Sequence, residues 1–222
     1  MAHRGDLVGS HPEGLPAPPV RDFRGAVDAP LTLQWPAGHR VVVSGLPGSG
    51  KSTLMRRAVV DDGTLIRVDS QEARERWARR LPAWLPYSVY RPVVRLAHYA
   101  GLWRALRSPA GVLVHDCGRM AWVRRWLGRD ARRRGRGFHL VLLDVPAETA
   151  LAGQRDRGRT VSRHAFAGHQ RALGRLIAEV AAGRLPPGCH SAVLLDRPAA
   201  DALDGMVFAK PGVPADDGQP IA

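Results

Sequence analysis

Arg40-Val41-Val42-Val43-Ser44-Gly45-Leu46-Pro47-Gly48-Ser49-Gly50-Lys51-Ser52-Thr53 is the stretch that decides the fold of this chain. Its first five residues are a short β-branched run that reads as a buried strand. Gly45, Gly50, Lys51 and Ser52 then occupy the fixed positions of the phosphate-binding pattern G-x-x-x-x-G-K-[S/T]. From Ser52 to Val60 the residues carry an apolar face at helical spacing. A strand, a glycine-rich turn and a helix N-terminus together form an anion cradle. Its backbone N–H groups point inward, and the helix dipole adds partial positive charge. The pattern implies a nucleotide site built from Gly45, Gly48, Ser49, Gly50, Lys51, Ser52 and Thr53. Lys51 would reach the β- and γ-phosphates, Ser52 would ligate Mg²⁺, and Thr53 would meet the α-phosphate. Composition sharpens this reading. The chain has 31 arginines and only two lysines, Lys51 and Lys210, and one lysine stands where a compact ammonium suits a phosphate pocket better than a planar guanidinium.

Around that centre, 222 residues suit one domain with a full core and short tails. The two cysteines, Cys117 and Cys189, make no metal or redox spacing and suggest a reducing, cytoplasmic setting. His164 and His169 lie five apart, off a common helix face, so no metal site is expected from them. No apolar run approaches the ~20 residues that span a bilayer, and the N-terminus carries no apolar signal segment. The net charge of +13 would attract nucleic acid. It also has a plainer source, in an arginine-rich composition and a site for ATP.

Taken in order, residues 1–30 are rich in Gly and Pro and read as a flexible N-terminal arm. Leu31–Trp35 alternates and reads as a strand leading by a hairpin into the strand at Arg40. Further strands are expected at Thr64–Asp69, Gly111–Asp116, Phe138–Asp144 and Ser191–Asp196. Helices are expected over 92–107, 119–134, 147–156 and 163–182. In the first of these, Val93, Leu96, Ala97, Ala100 and Trp103 share a face; in the second, Met120, Val123, Trp126 and Leu127 point inward. Arg132–Arg134 reads as a solvated helix end, where cations suit the dipole. Beyond Arg197-Pro198 a short helix precedes a Gly/Pro tail. Five apolar strands alternating with helices give an α/β fold with a doubly wound, mostly parallel sheet.

Four strands end in an acid, at Asp69, Asp116, Asp144 and Asp196. Ligands of such sheets bind outside the carboxyl ends of the strands, so all four can face the site. Here the chain resembles the P-loop kinases of the polynucleotide kinase, zeta toxin and gluconate kinase type, from about Arg40 to Arg197. The resemblance implies a five-stranded sheet of order 2-3-1-4-5, with the third strand beside the P-loop strand. It then implies that Asp116 holds Mg²⁺ in the Walker B role and that Asp69 receives the acceptor's hydroxyl proton. Asp69-Ser70-Gln71-Glu72-Ala73-Arg74 resembles the D-x-D-x-x-R stretch of zeta-type kinases, with Gln71 in place of the second acid and Glu72 as the other candidate base. Asp144 and Asp196 are left to strand-end and turn chemistry. Arg155-Asp156-Arg157-Gly158-Arg159 looks like the family's lid, whose Arg155 and Arg159 would stabilise charge on the transferring phosphoryl group. The implied organisation is an arm at 1–30, a kinase-like domain at 31–197 with a helical substrate insert at 71–110 and a lid at 155–163, and a C-terminal tail at 198–222.

Cys117 stands where ATP-driven motors place a water-activating glutamate, and the chain contains no asparagine, so the guanine motif N-K-x-D is absent. By this elimination and by the lid-like arginines, ATP-dependent phosphoryl transfer to a bound acceptor is favoured over mechanical ATP hydrolysis. The aromatic, arginine-rich segment 74–107 lies where related kinases bind their acceptors. Trp84, Tyr87 and Tyr90 suit stacking, Arg74 or Arg79 suits a phosphate or carboxylate, and Trp103 reads as core. The expected acceptor is a small molecule. A 5′-hydroxyl nucleic-acid end is the runner-up, and an ATP-binding regulator without transfer is the third reading. No membrane partner is expected.

Overall fold

The computed structural model describes residues 18–25, 29–59, 63–82, 84–116, 121–156 and 162–209, with Gln71, Tyr87 and Ser88 described by backbone alone. In chain order the elements are β1 (Val20–Asp22), β2 (Leu31–Trp35), β3 (Arg40–Gly45), α1 (Lys51–Ala58), β4 (Leu65–Val68) and α2 (Ser70–Ala78). Then come α3 (Tyr87–Arg107), β5 (Gly111–Asp116), α4 (Ala121–Arg133), β6 (Phe138–Leu143) and α5 (Ala147–Arg155). The series ends with α6 (Arg163–Ala181), β7 (Ser191–Leu195), α7 (Arg197–Ala202) and β8 (Leu203–Phe208).

Six strands form one parallel sheet in the order β1-β7-β6-β3-β5-β4. The expected order is present as β4-β5-β3-β6-β7, but the expected count of five is one short. Residues 20–22 of the N-terminal arm add β1 to the edge at β7. There Ala192 N donates to Pro19 O and Phe23 N to Leu194 O, which pairs backbone groups that an open edge would leave to water.

The hairpin expected from Leu31–Trp35 does not form. β2 runs parallel to β8 in a separate two-stranded sheet. Both sides of β3 are already taken, by β5 and β6, so β2 has no edge of β3 to pair with. Its alternation instead buries Leu31, Leu33 and Trp35 together with Met206 and Phe208. The segment expected as a C-terminal tail thus supplies α7 and β8.

The sheet divides the interior by its period of two. Val42, Val112, Val114, Leu140, Leu142 and Leu194 face α3, α4 and α6, where Leu102, Leu106, Leu127, Phe166 and Leu173 meet them. Val41, Val43, Leu113, Val141, Leu143 and Val193 face α1, α7 and the β2–β8 pair. Arg40, buried at the start of β3, donates to Leu106 O and Ala110 O at 3.0 and 3.1 Å, and to Gly38 O. It therefore fastens the end of α3 and the turn into β5 to the foot of the sheet.

One helix is rotated relative to the sequence expectation. In α3 the buried residues are Val94, Leu102, Ala105 and Leu106, whereas Val93, Leu96 and Trp103 are exposed. Trp103 is therefore not core. In α4, Val123 and Leu127 are buried as expected and Trp126 is partly buried, while Met120 lies outside the described residues. Arg132, Arg133 and Arg134 are exposed.

Candidate active site

The chain leaves β3 at Gly45 and turns through Leu46–Ser49 into α1, with Ser49 N donating to Leu46 O at 3.0 Å. Gly48 and Gly50 have φ of +90° and +92°, a region that side chains rarely enter. Lys51 is buried, and its Nζ donates to Gly45 O at 2.8 Å and Leu46 O at 2.7 Å. Ser52 is buried and Thr53 exposed. The Ser49 hydroxyl is buried without a hydrogen-bond partner. A buried polar atom so placed costs free energy unless something bonds it. Together with the ammonium and the left-handed glycines, it fits a phosphate.

The P-loop is braced from the side. Gln154 of α5, buried, donates through Nε2 to Pro47 O at 3.0 Å. A Cβ at Gly153 would stand 2.6 Å from Gly48 O, and one at Gly48 would collide with Ala150 O. The helix that leads to the expected lid is thus in backbone contact with the P-loop turn. Arg155, its last residue, is exposed. Arg159, Arg157 and residues 157–161 of the expected lid lie outside the described residues, as does Cys117.

Strand register brings two acids beside the loop. Asp116, at the end of β5, is the register partner of Ser44 of β3. Its Oδ2 accepts from Ser44 Oγ and from Arg124 Nη1, each at 3.3 Å. Asp69 directly follows β4, is 7% exposed, and its backbone oxygen accepts from Ala73 N in the first turn of α2. His115 Nδ1 lies 3.4 Å from Asp69 Oδ1 and 3.4 Å from Ser70 Oγ. Burial is the main force lowering the His115 pKa, and the Lys51 ammonium adds to it against the pull of Asp69. His115 is therefore neutral, and its 3.4 Å approach to Asp69 is not an ion pair. His98 of α3 also has a lowered pKa, mainly from burial, with Asp69 and Asp116 acting in the opposite direction. Both acids, Lys51 and two histidines thus share one electrostatic neighbourhood.

The remaining candidates separate. Glu72 pairs with Arg67 at 2.6 Å and is partly exposed. Arg74 and Tyr90 are partly buried, on α2 and α3. Tyr87 begins α3, but its side chain is outside the described residues. Asp144 pairs with Arg24 at 2.7 Å. Asp196 caps α7 by accepting from Ala199 N at 2.9 Å and accepts from Gly25 N at 2.8 Å. These two acids serve structure, as expected. His115, His98 and Gln154 were not singled out by the sequence, because a lone histidine or glutamine carries no local spacing signal. Arg57 and Arg197 were also missed. With Ser49, Thr53 and Asp201 they line a cavity of about 70 Å³ beside the P-loop. Among the described residues no cluster of three or more His, Cys, Asp or Glu is placed to hold a metal by itself, and no helix is long and apolar enough to cross a membrane.

A parallel sheet with this strand order, a P-loop after its central strand and an acid at the end of the neighbouring strand define a P-loop fold with the kinase-like strand order. Residues 41–182, well over half of the chain, match the model of an AAA domain family, and the chain belongs to that family. Among solved structures it is similar to a chain of the PezAT chromosomal toxin–antitoxin system of Streptococcus pneumoniae, with 13% identity, a TM-score of 0.51, and 78% of this chain and 79% of that one covered. It is also similar to a gluconokinase of Sinorhizobium meliloti (18%, TM-score 0.45, 76% and 89%) and to a shikimate kinase of Acinetobacter baumannii solved with shikimate (20%, TM-score 0.44, 73% and 86%). At these identities the likeness is one of fold. No curated protein matches the chain in sequence.

Proposed function

We propose that this chain is an ATP-dependent phosphotransferase that moves a γ-phosphoryl group to a hydroxyl of a small molecule. The observation that carries the reading is Asp69. It is a buried acid directly after β4, one strand from Asp116 and 3.4 Å from a neutral His115. An acid held there, buried where β4 runs beside the neighbour of the P-loop strand, suits the removal of a proton from an incoming hydroxyl.

In that reading the Gly45–Thr53 loop holds the phosphates, and Lys51 leaves its carbonyl partners to meet the β- and γ-oxygens. Asp69 takes the acceptor's hydroxyl proton as the new O–P bond forms and the bond to the β-phosphate oxygen breaks, releasing ADP. Ser52 and Asp116 would hold Mg²⁺, which would supply positive charge against the negative charge of the transferring phosphates. Arg155 and Arg159 would add charge at the transferring group. Arg74, Tyr87 and Tyr90 belong to the insert, where the acceptor would rest. Arg57 and Arg197, in the cavity beside the P-loop, would meet the nucleotide from the other side.

Incubation with γ-labelled ATP and a panel of hydroxyl metabolites and 5′-hydroxyl oligonucleotides tests the reading. Label should pass to a small molecule. In Asp69→Asn, ATP binding should persist while transfer falls by about 100-fold or more. Transfer confined to the oligonucleotides would replace the small-molecule reading with a nucleic-acid kinase, to which the +13 charge already lends support. ATP binding without label transfer to any acceptor, in wild type and Asp69→Asn alike, would favour a nucleotide-binding regulator.

A further inference from the structure

We infer that the outward face of α3 is a docking surface for an acidic amphipathic helix of a partner protein. The helix is apolar on two opposite sides. Its inner side, with Val94, Leu102, Ala105 and Leu106, is buried on the sheet. Its outer side presents Val89 (62% exposed), Val93 (46%), Leu96 (72%) and Trp103 (47%), with the half-buried Ala100 between the last two. The steps between these five positions are four, three, four and three residues. That alternation is the a/d spacing of a two-helix seam, on a surface where a helix packed on one sheet is ordinarily polar. At 1.5 Å per residue the seam runs roughly 21 Å. Tyr99 borders it and packs against Trp122 of α4 with ring centroids 4.9 Å apart and planes tilted by 55°, so an aromatic shoulder extends one side.

Charge selects the occupant. From Tyr87 to Arg107 the helix carries no acid, and two of its arginines lie on the seam side, Arg104 flanking it and Arg107 continuing it. Arg107 lies over the Trp103 ring, 3.5 Å from its centroid, so a cation sits on the seam itself. A second copy of the chain would set these arginines against their equivalents. A bilayer surface takes up a broad apolar face with basic flanks, whereas this is a single narrow row on a helix whose other side is fixed to the sheet. Nucleic acid would use the arginines and the aromatic rings but gives no role to a row of Val and Leu. A helix with apolar residues at 3.5-residue spacing and Glu or Asp on its flanks satisfies both the row and the charge. The surface is on the opposite side of α3 from the buried face and does not depend on the phosphoryl-transfer reading.

The test uses the full chain and a fluorescein-labelled synthetic helix of 21 residues, the length of α3. It carries Leu at a/d spacing and Glu on its flanks, and a sister peptide carries Lys there. Anisotropy should show the Glu peptide binding at least about 10-fold more tightly than the Lys peptide, as opposed flank charges choose partners. Leu96→Glu should cost a similar factor, and Arg104→Glu combined with Arg107→Glu should reverse the preference. ATP binding by each variant reports the intact fold, and Leu96→Gln replaces Leu96→Glu where the latter fails to fold. Equal binding of the two peptides, or binding insensitive to position 96, would overturn the inference. So would vesicles of phosphatidylserine and phosphatidylcholine binding the chain through Leu96 while the peptides do not, or a sedimenting dimer that Leu96→Glu dissolves.

Discussion

Lys51 holds two states of the P-loop in one side chain. Its Nζ donates to Gly45 O and Leu46 O, so the ammonium is already paired within the loop. A phosphate therefore exchanges those carbonyls for its own oxygens rather than meeting a bare charge. Ser49, buried beside it with an unpaired hydroxyl, gains a bond when that exchange occurs. Lys51→Ala should then weaken ATP binding by at least about 10-fold, the loss of a charge-assisted pair, while the thermal midpoint of the free protein changes little. Lys51→Arg should fail as well, because the planar fork is too large beside Gly48 and Gly50. Equilibrium ATP titration of both variants is the measurement, and wild-type affinity in Lys51→Ala would remove the nucleotide site from this loop. Lys51 and the glycines were legible in the sequence because a P-loop is local, with every part within about ten residues of the next. His115 and His98 were not. Each becomes informative only when β5 and α3 bring it to Asp69, across separations that no spacing rule reaches.

Two helices carry most of the element-scale argument, and they were legible to different degrees. The buried seam of α3 at Val94, Leu102 and Ala105 and its exposed seam at Val93, Leu96 and Trp103 are both apolar at helical spacing. Periodicity finds such a helix but does not say which side meets the sheet, so the expectation took the wrong face. The strand β1 escaped because three residues in a Gly/Pro-rich arm make no pattern, and the β2–β8 pairing because its partners lie about 170 residues apart. By contrast α5 was expected at nearly its true bounds, and its function depends on a detail below sequence resolution. Gly153 and Gly48 touch backbone to backbone, and Gln154 bonds Pro47 O. In isolation Gly153→Ala would stabilise the helix by about 1 kcal/mol. In place, its Cβ would stand 2.6 Å from Gly48 O, so α5 or the P-loop must shift. Gly153→Ala should therefore weaken ATP binding several-fold while its denaturation midpoint stays within a narrow margin of wild type. Titration calorimetry beside urea unfolding separates the two, and unaltered ATP affinity would mean that α5 moves without carrying the loop.

At the scale of the whole molecule, the two ends of the sheet are specialised in opposite ways. The carboxyl ends of the strands gather the charged site, whereas the amino ends gather two neutral histidines, the half-buried His39 and the buried His139. His39 Nδ1 lies 2.9 Å from His139 Nε2, and His139 Nδ1 lies 2.8 Å from Ser191 Oγ. The His39 and His139 rings stack at 5.1 Å, and Phe138 N donates to His190 Nδ1 at 3.2 Å. Burial pushes the His139 pKa down to about 3, with His39, His190 and Arg21 adding to the effect. Burial likewise lowers His39 to about 4, helped by His190, Arg136 and Arg40. In the unfolded chain both return to about 6.5, so between that value and their folded values the unfolded state binds more protons. Stability is then fully present above about pH 6.5 and falls as the pH drops below it, by up to about 1.4 kcal/mol per pH unit for each histidine held neutral. His39 is less buried than His139 and should contribute less than the full slope. Urea midpoints measured from pH 7.5 to 4.5 should decline below about pH 6.5, and His139→Gln should flatten that decline by roughly one proton. Its stability at pH 7.5 should also fall, because the bonds to His39 and Ser191 weaken. A pH slope unchanged in His139→Gln would mean that the histidines at the amino end are already charged in the fold.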